Sequence, residues 1–295
     1  MSPRLVWERD GADWPHHAAS RFVQAGGVRW HVQLLGQGPV ALLLHGTGAS
    51  THSWRDLAPL LALHFTVVMI DLPGHAFSSM PATPQMTLPG MARATGELMD
   101  ALGMAPALIV GHSAGAAVAV QLVLERHAQA QAIVSLNGAL LPLGGAAGRL
   151  FSPVAKLLAL NPLVPRLVSW RAQDAAAVAR LIDGTGSQID AAGTRLYGRL
   201  VGNPGHVAGA LSMMANWDLD ALQLRLAQLT LPMLLVIGEK DRTLPPAQAE
   251  QVARRLPDAR VLHLPQLGHL AHEEQPGRVA DAVLEFARET GLSRG

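Results

Sequence analysis

The stretch Leu108-Ile109-Val110-Gly111-His112-Ser113-Ala114-Gly115-Ala116-Ala117 constrains this chain more than any other. An apolar, β-prone run stops at a glycine, a serine follows two residues later, and an alanine-rich helical segment begins at once. G-x-S-x-G in that setting puts a nucleophile on a sharp turn between a buried strand and a helix. The turn strains the serine backbone and leaves no room for neighbouring side chains, hence Gly111 and Gly115. The helix opening at Ala114 aims its free N–H groups at charge developing beside the serine oxygen. As an ordinary strand–helix turn the pentapeptide would carry no chemistry, so the rest of the chain has to supply a base and an acid.

Short apolar strands alternate with helical patterns on both sides of this turn. Residues 1–20, with Trp7, Trp14 and the pair His16-His17, read as an arm lying on the domain; adjacent histidines point apart, so a solvated pair is expected. Phe22-Val23 and Val28–Leu35 flank Gly26-Gly27 as a hairpin. Val40–Leu44 is a buried strand running into the loop His45-Gly46-Thr47-Gly48. Ser53 is placed to cap a helix over 54–63, and Phe65–Ile70 is a strand that ends in the tight turn Asp71–His75. Helical periodicity over Leu88–Leu102 stops at Gly103. Strands at Ala132–Leu136, Met233–Ile237 and 260–264, with helices near 246–255 and over Pro276–Thr290, complete the pattern. Such alternation implies a parallel sheet covered on both faces, with ligands at the carboxyl ends of the strands.

Between Leu140 and Asp218 the pattern breaks. This region has no buried strand run and is rich in Leu, Ala and Pro. It is expected to form a helical cap (140–218) inserted in a core made of 1–139 and 219–295. Its seven cations outnumber its four carboxylates, a net +3 on a chain of net +1. The inner face of the cap is expected to be apolar, carrying Leu157, Leu158, Met213 and Met214, because methionine suits surfaces that accept varied ligands. Arg149, Arg166 and Arg171 are the candidates for gripping a ligand carboxylate, since a guanidinium does so with two hydrogen bonds.

A serine hydroxyl attacks only when a base takes its proton and a carboxylate fixes that base. Asp241, in Gly238-Glu239-Lys240-Asp241, and His269, in Gln266-Leu267-Gly268-His269, follow the last two strands and can converge on Ser113. His272 is the rival base, and Glu239 and Asp220 are rival acids. The N–H of Ala114 supplies one oxyanion donor, and Thr47 in the loop after Leu44 the second. Neither a phosphate-binding glycine loop nor a cluster of metal ligands is present, so no cofactor and no metal is expected. With no cysteine in the chain, disulfides and thiol chemistry are excluded. Near-zero net charge gives no reason to expect nucleic acid as a partner. The first residues lack the apolar core of a signal peptide, and no apolar run approaches the ~20 residues of a membrane span. The expectation is a soluble, cytoplasmic protein with peripheral membrane contact left open by its 49% hydrophobic content.

These landmarks, in this order, resemble the α/β-hydrolase superfamily. That resemblance implies an α/β-hydrolase fold: a mostly parallel eight-stranded sheet flanked by helices, with an inserted helical cap. Ala76 stands where many members have a glycine, away from the three catalytic candidates. Trp7–Gly11, Trp14-Pro15, His45–Leu60, Leu136–Leu140 and Phe151–Pro165 are similar to the magnesium-chelatase accessory α/β-hydrolases of bacteriochlorophyll biosynthesis. This second resemblance implies a supporting role in inserting magnesium into protoporphyrin, with a tetrapyrrole as ligand and chelatase subunits as partners. Two functions compete: hydrolysis of an ester, thioester or similar acyl bond, and a non-catalytic accessory that holds a tetrapyrrole or contacts the chelatase. A general carboxylesterase or a cofactor-free haloperoxidase-like enzyme would share the same residues. Epoxide hydrolases and haloalkane dehalogenases need a carboxylate nucleophile where Ser113 stands.

Overall fold

The computed structural model describes residues 4–142, 161 and 163–292. Its strands are β1 (Ser20–Ala25), β2 (Val28–Leu35), β3 (Val40–Leu44), β4 (Thr66–Ile70), β5 (Pro106–His112), β6 (Ala132–Leu136), β7 (Met233–Gly238) and β8 (Ala259–Leu264). They form one eight-stranded sheet of order β1-β2-β4-β3-β5-β6-β7-β8. β1 and β2 are a hairpin across Gly26-Gly27, β2 runs antiparallel to β4, and the remaining neighbours are parallel.

The near-continuous apolar strands are explained by two covered faces, since successive side chains on a strand point to opposite sides. Leu42, Leu44, Val68, Ile70 and Ile109 pack beneath the helices Leu88–Leu102 and Ala114–Leu124. Ala41, Leu43, Val67, Met69, Leu108 and Val110 pack beneath Leu57–Leu61 and Pro276–Glu289. Each of the valine, leucine, isoleucine and methionine side chains contributes about 1.5–3 kcal/mol by leaving water. The helix Leu88–Leu102 starts where the Thr87 hydroxyl accepts from the Gly90 N–H and stops at Gly103, whose φ of 66° favours glycine.

Between β6 and Asp218 the described residues form the helices Leu163–Arg171, Ala175–Asp183, Ala191–Val201 and Pro204–Ala215, and contain no strand; the short helix Asp220–Arg225 leads back toward β7. Asp174, Asp190 and Asn203 cap the last three by accepting from the N–H groups of Ala176, Gly193 and His206. Residues 1–3, 143–160, 162 and 293–295 lie outside the described residues, and with them Arg149, Leu157 and Leu158.

Two local expectations are corrected. The helix over 54–63 is instead a 3-10 turn, Thr51–Trp54, followed by the short helix Leu57–Leu61. Ser50 caps the turn, while Ser53 is buried and its hydroxyl has no partner among the described residues. The cause is tertiary: the buried carboxylate of Asp71 accepts the Thr51 N–H at 2.8 Å and pins the chain there. The pair His16-His17 is also not simply solvated. His16 Nε2 reaches the Arg55 carbonyl at 2.8 Å, and His17 Nδ1 reaches that of Gly11 at 2.7 Å while its ring stacks on Trp7. The arm itself lies on the domain. Trp14 is buried and donates to the Thr51 hydroxyl, and Arg199 of the helix Ala191–Val201 pairs with Asp13.

Candidate active site

β5 ends in the G-x-S-x-G turn, and Ser113 there has φ 51° and ψ −119°. A non-glycine residue in that region is strained, and the strain persists only where the surroundings over-determine it. Here they do. Ser113 N–H donates to the Leu136 carbonyl at 3.0 Å, and the Ser113 carbonyl accepts from Ala116 and Ala139. Glycine on either side is a steric requirement. A Cβ at Gly111 would lie 2.5 Å from the Ala116 backbone, and one at Gly115 2.7 Å from the His45 carbonyl oxygen.

Asp241 and His269 are brought together. His269 Nδ1 lies 2.7 Å from Asp241 Oδ2, with both side chains almost fully buried. The other oxygen of Asp241 accepts the N–H groups of Thr243 at 2.7 Å and Leu244 at 2.9 Å. A fourth bond, from Asn137 Nδ2 to Asp241 Oδ2 at 2.9 Å, comes from the residue just after β6. Sequence reasoning missed Asn137 as a site residue; its one signal was a place beside Gly138 at the end of a strand. His269 is held from the elbow as well, because His112 Nε2 donates to the His269 carbonyl at 2.9 Å. The Ser113 hydroxyl itself takes no partner among the described residues, and bonds of this kind often tighten only when substrate is bound.

The rivals are placed elsewhere. His272 is buried against Trp54 and His112, both its ring nitrogens lack partners among the described residues, and burial pushes its pKa down to about 3. Glu239 faces His263 at 3.8 Å on the surface, and Asp220 accepts from Gln223.

The loop His45–Gly48 touches the elbow directly, since a Cβ at Gly46 would sit 3.0 Å from both Ser113 Cβ and His112 Nδ1. Thr47 follows it, and Ala114 is the first residue of the elbow helix, whose initial N–H groups have no intrahelical acceptor. The helix Pro204–Ala215 closes over this loop. Thr47 Oγ1 donates to Met213 Sδ at 3.4 Å, and His206 Nε2 donates to the Gly48 carbonyl at 3.0 Å. Met213 is fully buried and Met214 half-buried. Arg166 and Arg171 are exposed on the helix Leu163–Arg171, which turns Pro165 and Ser169 toward the protein instead.

A cavity of about 20 Å³ lies behind Asp241, lined in part by Ser135, Asn137 and Gln248. No group of three or more His, Asp or Glu side chains among the described residues is placed to hold a metal ion. None of the helices among them is long and apolar enough to cross a membrane.

The family model for the α/β-hydrolase fold matches residues 39–276. The "Magnesium-chelatase 30 kDa subunit" of Rhodobacter capsulatus is 38% identical over 288 residues, covering 97% of this chain and 99% of that protein. The "Dihydrolipoyllysine-residue acetyltransferase component of acetoin cleaving system" of Pseudomonas putida is 30% identical, covering 94% of this chain and 72% of that protein. An α/β-hydrolase fold protein from Burkholderia ambifaria superposes with a TM-score of 0.76 at 23% identity, over 97% of this chain and 100% of its own, which speaks to the fold alone. The chain belongs to the α/β-hydrolase fold family, and within it to the family of the Rhodobacter capsulatus magnesium-chelatase 30 kDa subunit.

Proposed function

We propose that this protein is a serine hydrolase that cleaves an ester or related acyl bond in support of magnesium insertion during bacteriochlorophyll biosynthesis. The observation that carries the chemistry is the buried 2.7 Å contact between His269 Nδ1 and Asp241 Oδ2, beside a serine on a strained elbow. A binding protein has no physical need for that pair. In this reading His269 Nε2 takes the Ser113 proton as Oγ attacks the carbonyl, and Asp241 steadies the imidazolium that forms. The N–H groups of Thr47 and Ala114 receive the oxyanion. His269 then protonates the leaving group, and water attacks the acyl-serine by the same route in reverse. No cofactor enters the scheme. Met213 and Met214 offer the apolar side of the site, and the link to magnesium insertion rests on the name of the Rhodobacter capsulatus relative, a magnesium-chelatase subunit.

The ligand class that suits both is a tetrapyrrole intermediate or an acyl compound derived from one. A reconstituted magnesium-insertion assay with chelatase subunits tests the reading, run beside hydrolysis of a p-nitrophenyl ester. Wild-type protein is expected to act in both, and Ser113→Ala in neither. A variant that loses ester hydrolysis yet still supports magnesium insertion would favour the second reading suggested by the relative's name, a non-catalytic accessory.

A further inference from the structure

The helix Leu163–Arg171 is built the wrong way round for a helix that only packs on its own protein. Its buried positions are Pro165 and Ser169, which are small or compact, and Ala172 just past its end is buried on the same side. Its large apolar residues face outward: Leu163 is 63% exposed, Leu167 59% and Trp170 63%. At 100° per residue, Leu163, Leu167 and Trp170 fall on one line opposite the buried face. Arg166 lies along one flank of that ridge and Arg171 along the other, both exposed. The helix carries no carboxylate, and the sequence has no Asp or Glu between Glu125 and Asp174.

Scattered exposed leucines need no explanation, but a continuous ridge containing a tryptophan marks an interaction surface. Its charge identifies the occupant. This ridge has cations on both sides and no anion, matching an acyl-chain region beneath anionic headgroups, with Trp170 at the depth where indole rings settle. We propose that the helix Leu163–Arg171 docks this protein on the surface of an anionic lipid bilayer, ridge inward and Arg166 and Arg171 at the phosphates. The helix packs against Pro204–Ala215, which carries Met213 beside Thr47. Docking would therefore place the bilayer next to the element that closes the candidate active site. The proposal stands on the helix alone and does not depend on any reaction.

Flotation of the full chain with lipid vesicles provides the test. Vesicles of phosphatidylcholine alone are compared with equal mixtures of phosphatidylcholine and phosphatidylglycerol, at low and high salt. Binding is expected to the mixed vesicles, weakening with salt, and with a blue shift of tryptophan emission that Trp170→Phe removes. Each arginine near such a surface is worth about 1 kcal/mol, so Arg166→Gln with Arg171→Gln is expected to weaken binding about thirtyfold. Leu167→Ser with Trp170→Ser is expected to abolish binding, while Leu224→Ser, more exposed still but on the separate helix Asp220–Arg225, leaves it unchanged. These side chains are on the surface, so the circular dichroism of every variant is expected to match the wild type. The proposal is overturned by absence of binding, by binding insensitive to these substitutions, or by a Trp170-dependent dimer in place of lipid binding.

Discussion

Replacing Asp241 by asparagine separates the charge of this residue from its shape, and the structure fixes what the amide must do. Oδ1 accepts two backbone N–H groups, from Thr243 and Leu244. The asparagine oxygen has to stay there, because an NH₂ group would meet two donors. The amide nitrogen then falls where Oδ2 was, facing Asn137 Nδ2 at 2.9 Å and His269 Nδ1 at 2.7 Å. His269 can keep its contact only by presenting a bare Nδ1, which moves its proton to Nε2, the nitrogen that should receive the proton of Ser113. Loss of the correct tautomer in such a triad costs about four orders of magnitude in kcat. Stability falls less, by about 1–3 kcal/mol, because the Asn137 amide loses its acceptor. Nitrogen NMR of the imidazole reports the tautomer without needing a substrate, and ester hydrolysis reports the rate. Asp241→Asn with an unchanged tautomer and a rate within tenfold of wild type would refute the reasoning.

Asn137→Ala removes one donor from Asp241 while leaving the charge, and is expected to slow ester hydrolysis roughly tenfold with little change in KM; a rate equal to wild type would reduce Asn137 to a packing residue. In Gly115→Ala, the new Cβ lies 2.6 Å from the Leu44 carbonyl carbon, which is backbone and cannot rotate away. The expected loss is about 3 kcal/mol in urea unfolding, and a loss under 1 kcal/mol would mean the elbow is looser than drawn. His272 gives a pH test. Its folded pKa, near 3, is below the unfolded value of 6.5, so its contribution is whole above pH 6.5 and shrinks as pH falls toward 3. Between pH 7 and pH 5 that amounts to about 2 kcal/mol, and unfolding of His272→Leu should show a slope flatter by this amount; an unchanged slope would place another group behind the acid sensitivity.

The sheet was legible because each strand is a short apolar run closed by a turn signal, and because glycines mark the places where backbones nearly touch. The triad candidates were legible for a similar reason, as each follows a strand whose end faces the same side. What escaped the sequence depends on contacts between distant residues. The carboxylate of Asp71, just past the end of β4, reshapes residues 51–56, and nothing near Ser53 announces it. Asn137 matters only because β6 lies between β5 and β7, which sets it beside Asp241. Arg166 and Arg171 look alike in sequence whether they face inward or outward, and the packing of Pro165, Ser169 and Ala172 decides it.

Covalent capture of the nucleophile tests the central claim with no knowledge of the substrate. Protein incubated with a fluorophosphonate is measured by intact-mass spectrometry, and the adduct is mapped by peptide sequencing. One adduct is expected, on Ser113, absent in Ser113→Ala, greatly slowed in His269→Ala, and formed at an unchanged rate in a His272 variant that remains folded. An unmodified wild-type protein, or an adduct that persists in Ser113→Ala, would contradict it.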